Sequence, residues 1–470
     1  MAPLACEIPV PDIAAALAAQ PGEGALWLDS ALYHPTYGRY SYLALDPYLT
    51  LRFRGERIFA RGAEHWDAEG NPFPHLARLL EEHRVSPLPG LPPFVGGAAG
   101  YLGYDLGRHI ERVPSRAADD LGLPEAWLGF YDVVCAIDHA EQRAWIIATG
   151  LPETRASWRE RRAAARAEQV QAWLARAAER GVPEAGPSVR ESGVGEEIEL
   201  QRPFFTAAVR RAQEYIAAGD IYQVNLAFRQ ELPAPRDSLR AYQRLRAVSP
   251  GSYAAYLDIG EAQILSSSPE CFIQLRGNQV ETRPIKGTRP RGATPTEDAR
   301  LAAELAASPK DRAENVMIVD LERNDLGRVC SYGTVRVAEL WSVETYATLH
   351  HLTSAVTGEL YPGGGRTDLL KATFPGGSIT GAPKVRAMHI IEELEPVRRG
   401  VYTGAIGCFS ATGDADLNIA IRTATVTGGR AYFHVGCGIV ADSDPDAEFE
   451  EAVVKAQGLA HALSPARVRV

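Results

Sequence analysis

Residues 401–441 read VYTGAIGCFSATGDADLNIAIRTATVTGGRAYFHVGCGIVA, and this stretch decides the fold. Three strand-like runs stand in it, at 401–409, 417–426 and 432–441. Parallel neighbours need a crossover of a dozen or so residues, usually helical, so these short connections predict an antiparallel meander. In the second run Arg422 alternates with Ala420, Ala424 and Val426. An arginine on a face of small apolar side chains points to a pocket where it meets a carboxylate, with a structural ion pair as the competing reading. The third run supplies Gly436-Cys437-Gly438, where missing side chains let backbone amides approach a ligand.

Upstream, residues 281–292 (ETRPIKGTRPRG) follow the apolar run QILSSSPECFIQL and hold Lys286. The chain has five lysines, at 286, 310, 371, 384 and 455, against 44 arginines. A guanidinium stays protonated, whereas a lysine amine can lose its proton and attack carbon. Codon bias with a few surface leftovers is the plainer alternative. Glu270, in SSSPECF, closes an apolar strand and can serve as an acid or base.

Carboxylates recur where apolar side chains are expected. On a helix near 311–322, Glu314 shares a face with Met317, Ile318 and Leu321, and Asp311 lies one turn earlier. In the last helix, Glu448, Glu451 and Lys455 form a row beside Ala452 and Leu459. Such carboxylates cost free energy unless paired or metal-bound, and two helices offering them can share one Mg²⁺. Salt bridges to arginine or plain surface charge are the alternative. In FPGGSITGAPK, Gly376 and Gly381 have the spacing of an ATP phosphate loop, but Ala382-Pro383 stand where Lys-Ser/Thr is needed. The loop suits a carboxylate instead, through Ser378, Thr380 and backbone amides. His350 and His351 sit in an apolar segment with no second motif for zinc, as packed histidines do.

The 470 residues are 46% hydrophobic and 23% charged with net charge −10, which excludes a general nucleic-acid surface. No apolar run reaches the ~18 residues of a membrane span, and the N-terminus lacks the basic start of a secretory signal. Six cysteines without CxxC spacing fit a reducing, cytoplasmic setting. Residues 1–60 look strand-rich, 72–85 helical, 127–149 stranded and 152–180 a long helix with a solvated arginine face. FVGGAAGYLGYDLG lacks the GxGxxG spacing, which leaves close backbone packing as its role. The Gly/Pro/Ser/Glu stretch at 181–198 reads as a linker, dividing the chain into regions 1–180 and 199–465.

Eight stretches, SSSPECF, RPIKGTRPRG, DRAENVMIVDLERNDLGRV, FPGGSITGAPKVRAM, YTGAIG, IAIRTATV, GCGIVADSDP and EFEEAVVKA, run in family order and together resemble the chorismate-utilising enzymes. That family includes component I of anthranilate synthase and of aminodeoxychorismate synthase, and the isochorismate and salicylate synthases. The resemblance implies an α/β (α+β type) fold of two large antiparallel β-sheets packed as a sandwich and wrapped by helices. It implies Mg²⁺ held by Glu314 and Glu451, with Asp311 and Glu448 close by. Chorismate's carboxylates would meet Arg422, Tyr402, Lys455, the Gly436–Gly438 backbone and the Ser378 loop, with His351 and Thr288 along the ring.

Anthranilate synthases resemble PIAGT where this chain has PIKGT, the form that aminodeoxychorismate synthases resemble. The implied chemistry is attack of Lys286 on C2 as the C4 hydroxyl leaves, with Glu270 as acid, then entry of ammonia at C4 to give 4-amino-4-deoxychorismate for 4-aminobenzoate and folate. It needs a neutral Lys286, to which Arg283, Arg289 and Arg291 contribute if they point inward. The TRPRG that follows fits anthranilate synthases equally, so direct amination at C2 stands as the alternative. A non-catalytic tryptophan-binding regulatory subunit is a distant third. No glutaminase signature is present, so ammonia is expected from a glutamine amidotransferase subunit in a heterodimer, or from free ammonium. Ser30, Tyr37, Gly38, Arg39, Tyr40, Ser252, Tyr253 and Ala254 resemble the pocket where relatives bind L-tryptophan, with Ser-Tyr-Ala in place of the family's Pro-Tyr-Met.

Overall fold

The computed structural model describes residues 1–34, 37–180, 194–346 and 349–464, so most of the 181–198 linker lies outside the described residues. Two antiparallel sheets, of eleven and twelve strands, pack against each other with helices around them, as the resemblance implies. Both sheets run across the division of the chain. Strand Leu26–Asp29 pairs with Tyr253–Asp258 in one, and Gly97–Leu102 with Ala405–Ser410 in the other. The glycine-rich 94–107 stretch supplies that wholly buried Gly97–Leu102 strand. A Cβ on Gly100 would lie 2.1 Å from the Trp127 carbonyl oxygen, so its glycine serves backbone packing. Among the described residues no helix is long and apolar enough to cross a membrane.

The 401–441 stretch is antiparallel but not one meander. Ala405–Ser410 and Ala415–Asn418 pair within the twelve-stranded sheet, while Thr423–Thr427 and Arg430–Ile439 pair within the eleven-stranded one. The run 417–426 therefore breaks at 419–422, where the chain passes from one sheet to the other. Arg422 sits at this corner with φ +50°, not on a regular strand face beside Ala420 and Ala424. The reason is the destination of the backbone groups, which find partners from both sheets instead of one neighbouring strand. The Ile419 amide donates to the Glu270 carbonyl at 3.0 Å and the Ala420 amide to the Gly404 carbonyl at 2.9 Å. The Thr403 and Ser267 amides donate to the carbonyls of Ala420 and Arg422, at 2.8 and 3.0 Å.

Helix Pro309–Gly327 starts where its sequence says it should. Ser308 accepts from the Asp311 amide at the N-cap, and Pro309 occupies the first turn. Its buried stripe is Asn315, Ile318, Val319, Glu322, Asp325 and Leu326. The face read from Glu314, Met317 and Leu321 is thus displaced by about one position, and Glu314 stands at its margin, half-buried. Helix Pro445–Leu463 is capped by Asp444 and docks through Phe449, whose ring stacks on Phe228 at 5.6 Å and approaches Phe205 at 6.1 Å. All three rings are fully buried.

Because Phe449 anchors the helix that carries Glu448, Glu451 and Lys455, Phe449→Ala should cost about 3–5 kcal/mol of stability, seen as a lowered urea midpoint. A midpoint equal to that of the parent would show that other contacts hold this helix.

Candidate active site

Five elements converge where the two sheets are joined. Strand Ile285–Pro290 carries Lys286 and Thr288, and the turn after Gln263–Ser268 carries Glu270. The single 3₁₀ turn Gly377–Ile379 brings Ser378, the sheet crossover brings Arg422, and strand Arg430–Ile439 brings Gly436 and Gly438. Lys286 Nζ donates to the Ser378 carbonyl at 3.2 Å, and a Cβ placed on Gly438 would lie 3.8 Å from that nitrogen. The missing side chain thus leaves the lysine head open to a ligand.

Glu270 is buried, and burial pushes its pKa up even though Ser378, Lys286 and Arg422 each favour its charge. The Ser378 hydroxyl lies beside this carboxyl but outside hydrogen-bond geometry, so it has no partner. Arg422 makes no hydrogen bond or ion pair through its guanidinium among the described residues, and burial lowers its pKa while the Glu270 charge opposes that. The structural ion pair that competes with a ligand-binding Arg422 is therefore absent there. An unpaired, half-buried guanidinium suits a carboxylate.

The strand geometry opens backbone donors as well. Asn225 and Ala227 turn their amides to the Thr380 carbonyl and the Glu395 carboxylate, at 2.8 and 2.9 Å. Their cross-strand partners Gly438 and Gly436 must therefore direct their own amides to the opposite edge. Strand Thr423–Thr427 covers that edge only as far as Phe433, leaving both glycine amides free of it. Lys455 reaches the same edge, donating to the Gly436 carbonyl at 3.1 Å and pairing with Glu451 at 2.7 Å. Tyr402 stacks on His434 at 5.1 Å, and burial pushes its pKa to about 12.

His351 is buried and shares a 2.9 Å hydrogen bond between Nδ1 and the Thr288 hydroxyl. Burial, with the Arg422 charge added, lowers its pKa to about 3, so the ring is a neutral donor–acceptor. His350 faces the other way, between Thr345 and Asp298, and is structural.

The carboxylates gather at one side. Lys310 Nζ lies 4.0 Å from Glu314 and 3.9 Å from Glu448, so two helices aim carboxylates at one cation. Burial raises the Glu314 pKa, and Asp311 and Glu448 add to the rise. Oxygen donors converging where an ammonium already sits fit a hard divalent ion such as Mg²⁺. Glu448 is further fixed by the Ser443 hydroxyl at 2.8 Å, while Asp311 is engaged by Arg289 at 3.2 Å. The arginines near Lys286 do not point inward. Arg283 is held by Glu281, Glu339 and Glu344, Arg289 by Glu304 and Asp311, and Arg291 by Asp298. Each is tied to carboxylates, Arg289 to Asp311 of the carboxylate cluster itself.

Three participants escape the sequence patterns. Gln223 places its side chain against Gly438 with Oε1 unpartnered, Lys310 bridges the two carboxylates, and buried Glu322 accepts from the Thr282 hydroxyl at 3.0 Å. Lys310 had a signal, as one of five lysines; Gln223 had none.

A separate cavity of about 430 Å³ is lined by Ser30, Tyr37, Arg39, Tyr40, Ser252, Tyr253 and Ala254. Gly38 is not in its wall; a Cβ there would lie 2.4 Å from the Leu32 carbonyl oxygen. Arg283 stacks over Tyr37 at 3.9 Å, and Arg39 is bound to Asp138 at 2.6 Å.

The neutral state of His351 has a measurable consequence. Unfolded, it protonates near 6.5; folded, only near 3. Between these values the unfolded chain binds the extra proton, so stability falls as pH falls, by up to ~1.4 kcal/mol per unit. In His351→Asn the urea midpoint should drop less between pH 7 and pH 5 than in the parent. Equal drops would mean an imidazole that titrates normally.

The family described as chorismate binding enzyme matches this chain over residues 28–461. Aminodeoxychorismate synthase component 1 of Bacillus subtilis (strain 168) is 42% identical over 91% of this chain and 89% of its own length. Anthranilate synthase component 1 of Streptomyces coelicolor is 41% identical over 94% and 84%. The crystal structure of anthranilate synthase component I from Streptococcus pneumoniae TIGR4 superposes with a TM-score of 0.76 at 32% identity, covering 90% of this chain and 92% of that one. The menaquinone-specific isochorismate synthase of Escherichia coli shares the fold, with a TM-score of 0.70 at 19% identity over 99% and 96%.

Proposed function

The chain belongs to the chorismate binding enzyme family, and from that membership we propose that it aminates chorismate at C4 as component I of an aminodeoxychorismate synthase. The observation that carries the reading is Lys286, whose amine lies against Gly438 and donates to the Ser378 carbonyl, close enough for its charge to act on the buried Glu270. Aminodeoxychorismate synthase relatives at about 40% identity support the same subtype.

In this reading Arg422 and the Gly436 and Gly438 amides hold the substrate carboxylates, and Lys455, Tyr402 and Ser378 complete the pocket. His351 and Thr288 position the ring. The uncharged Lys286 amine attacks C2, the ring double bonds shift, and the C4–oxygen bond breaks as Glu270 protonates the departing hydroxyl. Ammonia then adds at C4, the double bonds shift back, and lysine leaves C2. Covalent catalysis divides one difficult displacement into two allylic ones. Glu314, Glu448 and Glu451 would hold Mg²⁺ with Asp311 beside them; when bound it supplies an electrophile for a substrate carboxylate and offsets charge near the departing group.

Ammonia would come from a separate glutamine amidotransferase subunit, in keeping with the "component 1" in the relatives' names. The 430 Å³ cavity would take L-tryptophan against Tyr37, Tyr40 and Ser252. A second reading, amination at C2, rests on anthranilate synthases being similarly close to this chain.

The chain incubated with chorismate, Mg²⁺ and ammonium should make 4-amino-4-deoxychorismate, which added lyase converts to 4-aminobenzoate. Fluorescent anthranilate as the main product without lyase would overturn the assignment. Lys286→Ala should abolish amination at C4 and shift residual product toward anthranilate, and Glu270→Gln should slow turnover by about 10²- to 10⁴-fold. Arg422→Ala should raise the KM for chorismate about ten- to a hundredfold, the loss of a charged hydrogen bond of ~1.5–3 kcal/mol. An unchanged KM would remove Arg422 from the binding site.

A further inference from the structure

Tyr402 is fixed by its ring and its main chain, not by its hydroxyl. The residue is buried, yet the hydroxyl makes no hydrogen bond among the described residues. It is therefore a donor without a protein partner. A phenol on a single side chain has several rotamers open to it, so a donor of this kind must be aimed by its surroundings. The main chain is pinned, with the Tyr402 amide donating to the Arg399 carbonyl at 3.1 Å and the Tyr402 carbonyl accepting from the Thr403 hydroxyl at 2.6 Å. Aiming the ring is left to its neighbours.

Two flat groups border that ring. His434 lies almost parallel to it, with centroids 5.1 Å apart and planes 12° apart, which is an offset stack. The Arg399 guanidinium carbon lies 5.7 Å from the ring centroid. Arg399 cannot shift, because Glu395 accepts from it at 2.9 and 2.6 Å and the carbonyls of Ile379 and Asn225 accept at 3.0 and 2.7 Å. His434 comes from strand Arg430–Ile439, where it stands opposite Arg229. Two residues further along that strand, ~7 Å away, is Gly436, whose amide is left free of strand Thr423–Thr427. The stack thus sets Tyr402 next to an open backbone donor. His434 is only 6% exposed, and its Nε2 has no partner among the described residues, so that nitrogen is not held by the protein. Burial, with Arg229 and Arg399 added and Asp120 opposing, keeps the imidazole neutral, as a ring packed beside fixed guanidiniums must be.

We propose that His434 is a positioning residue, whose ring, together with the locked Arg399, holds Tyr402 so that its hydroxyl donates to a substrate carboxylate. The contact between Tyr402 and substrate rests on the reading above; the stack is a property of the free protein. With the stack removed, the phenol spreads over several rotamers, and only the molecules with the donor in place bind at full strength. The apparent affinity falls by that fraction. Once the ring is seated the site is the same, so binding suffers and the chemical step does not.

Steady-state kinetics with chorismate, Mg²⁺ and ammonium test this. His434→Ala should raise the KM for chorismate about tenfold and leave kcat within about twofold of the parent. His434→Phe keeps a flat ring without the nitrogens and should bring KM back to within about twofold of the parent, whereas His434→Leu, of similar volume but without a flat face, should behave as His434→Ala does. Tyr402→Phe should also raise KM about tenfold, and adding His434→Ala to it should raise KM no further, because both act through one hydroxyl. A parent-like KM in folded His434→Leu, or a raised one in folded His434→Phe, would overturn the stack even if His434→Ala failed to fold. KM increases that multiply in the double variant would overturn it as well. A parent-like KM in Tyr402→Phe would take the hydroxyl off the substrate and the proposal with it. Anthranilate as the product, with the KM pattern intact, would instead overturn amination at C4 and leave His434 in its role.

Discussion

The corner at residues 419–422 is the constraint on which the site depends. A chain leaving one sheet for another loses its ladder partners, and its amides and carbonyls must be met some other way. Here they are met by the backbone of Ser267 and Glu270 on one side and of Thr403 and Gly404 on the other. The hydrogen bonds that complete the crossover are therefore those that fix Glu270, Tyr402 and Arg422 relative to one another. Thr403 and Arg422 both pass through positive φ, at +59° and +50°, the unusual backbone that such a corner demands. Sheet joining and site assembly are one event.

Around that corner the polar groups are deliberately incomplete. The Arg422 guanidinium, the Ser378 hydroxyl and Gln223 Oε1 lack protein partners among the described residues, whereas nearby Arg399 and Arg283 are fully engaged by carboxylates. Unpaired buried groups cost free energy, so a cluster of them facing one cleft argues for a ligand that supplies the missing partners. The same burial that lowers the Arg422 pKa raises those of Glu270 and Glu322.

Much of this was legible in the sequence, and the failures have physical causes. Antiparallel pairing followed from connection lengths, and the carboxylate helices from the three-and-four spacing. The single meander was wrong because alternation persists through a strand break: Leu417 to Val426 keeps its pattern while the backbone turns between sheets. The helix face was misphased for a related reason. Reading the stripe from Glu314 put Met317 and Leu321 inside, but the real stripe contains Asn315, Glu322 and Asp325 beside Ile318, polar residues that hydropathy counts as surface. Arg283, Arg289 and Arg291 looked like contributors to Lys286 by proximity in sequence. In a strand, neighbours alternate sides, and carboxylates from residues 281, 298, 304, 311, 339 and 344 draw them away.

The lysines make the last point. In a chain with 44 arginines, three of the five lysines lie in the site, Lys384 is buried against Asp325, and among the described residues only Lys371 forms a plain surface pair, with Asp368. Lys455 and Lys384 each combine one carboxylate with one main-chain carbonyl, a mixed set that a compact three-donor head meets more readily than a planar fork. Lys310 sits between two carboxylates without close contact to either, as a displaceable cation does and a bidentate guanidinium does not. At Lys286 the role proposed above makes the distinction chemical, since only an amine can shed its proton and form a bond to carbon. Composition bias would scatter the exceptions over the surface. Their concentration around one cleft means that arginine was acceptable nearly everywhere except where shape, exchange or nucleophilicity forbids it.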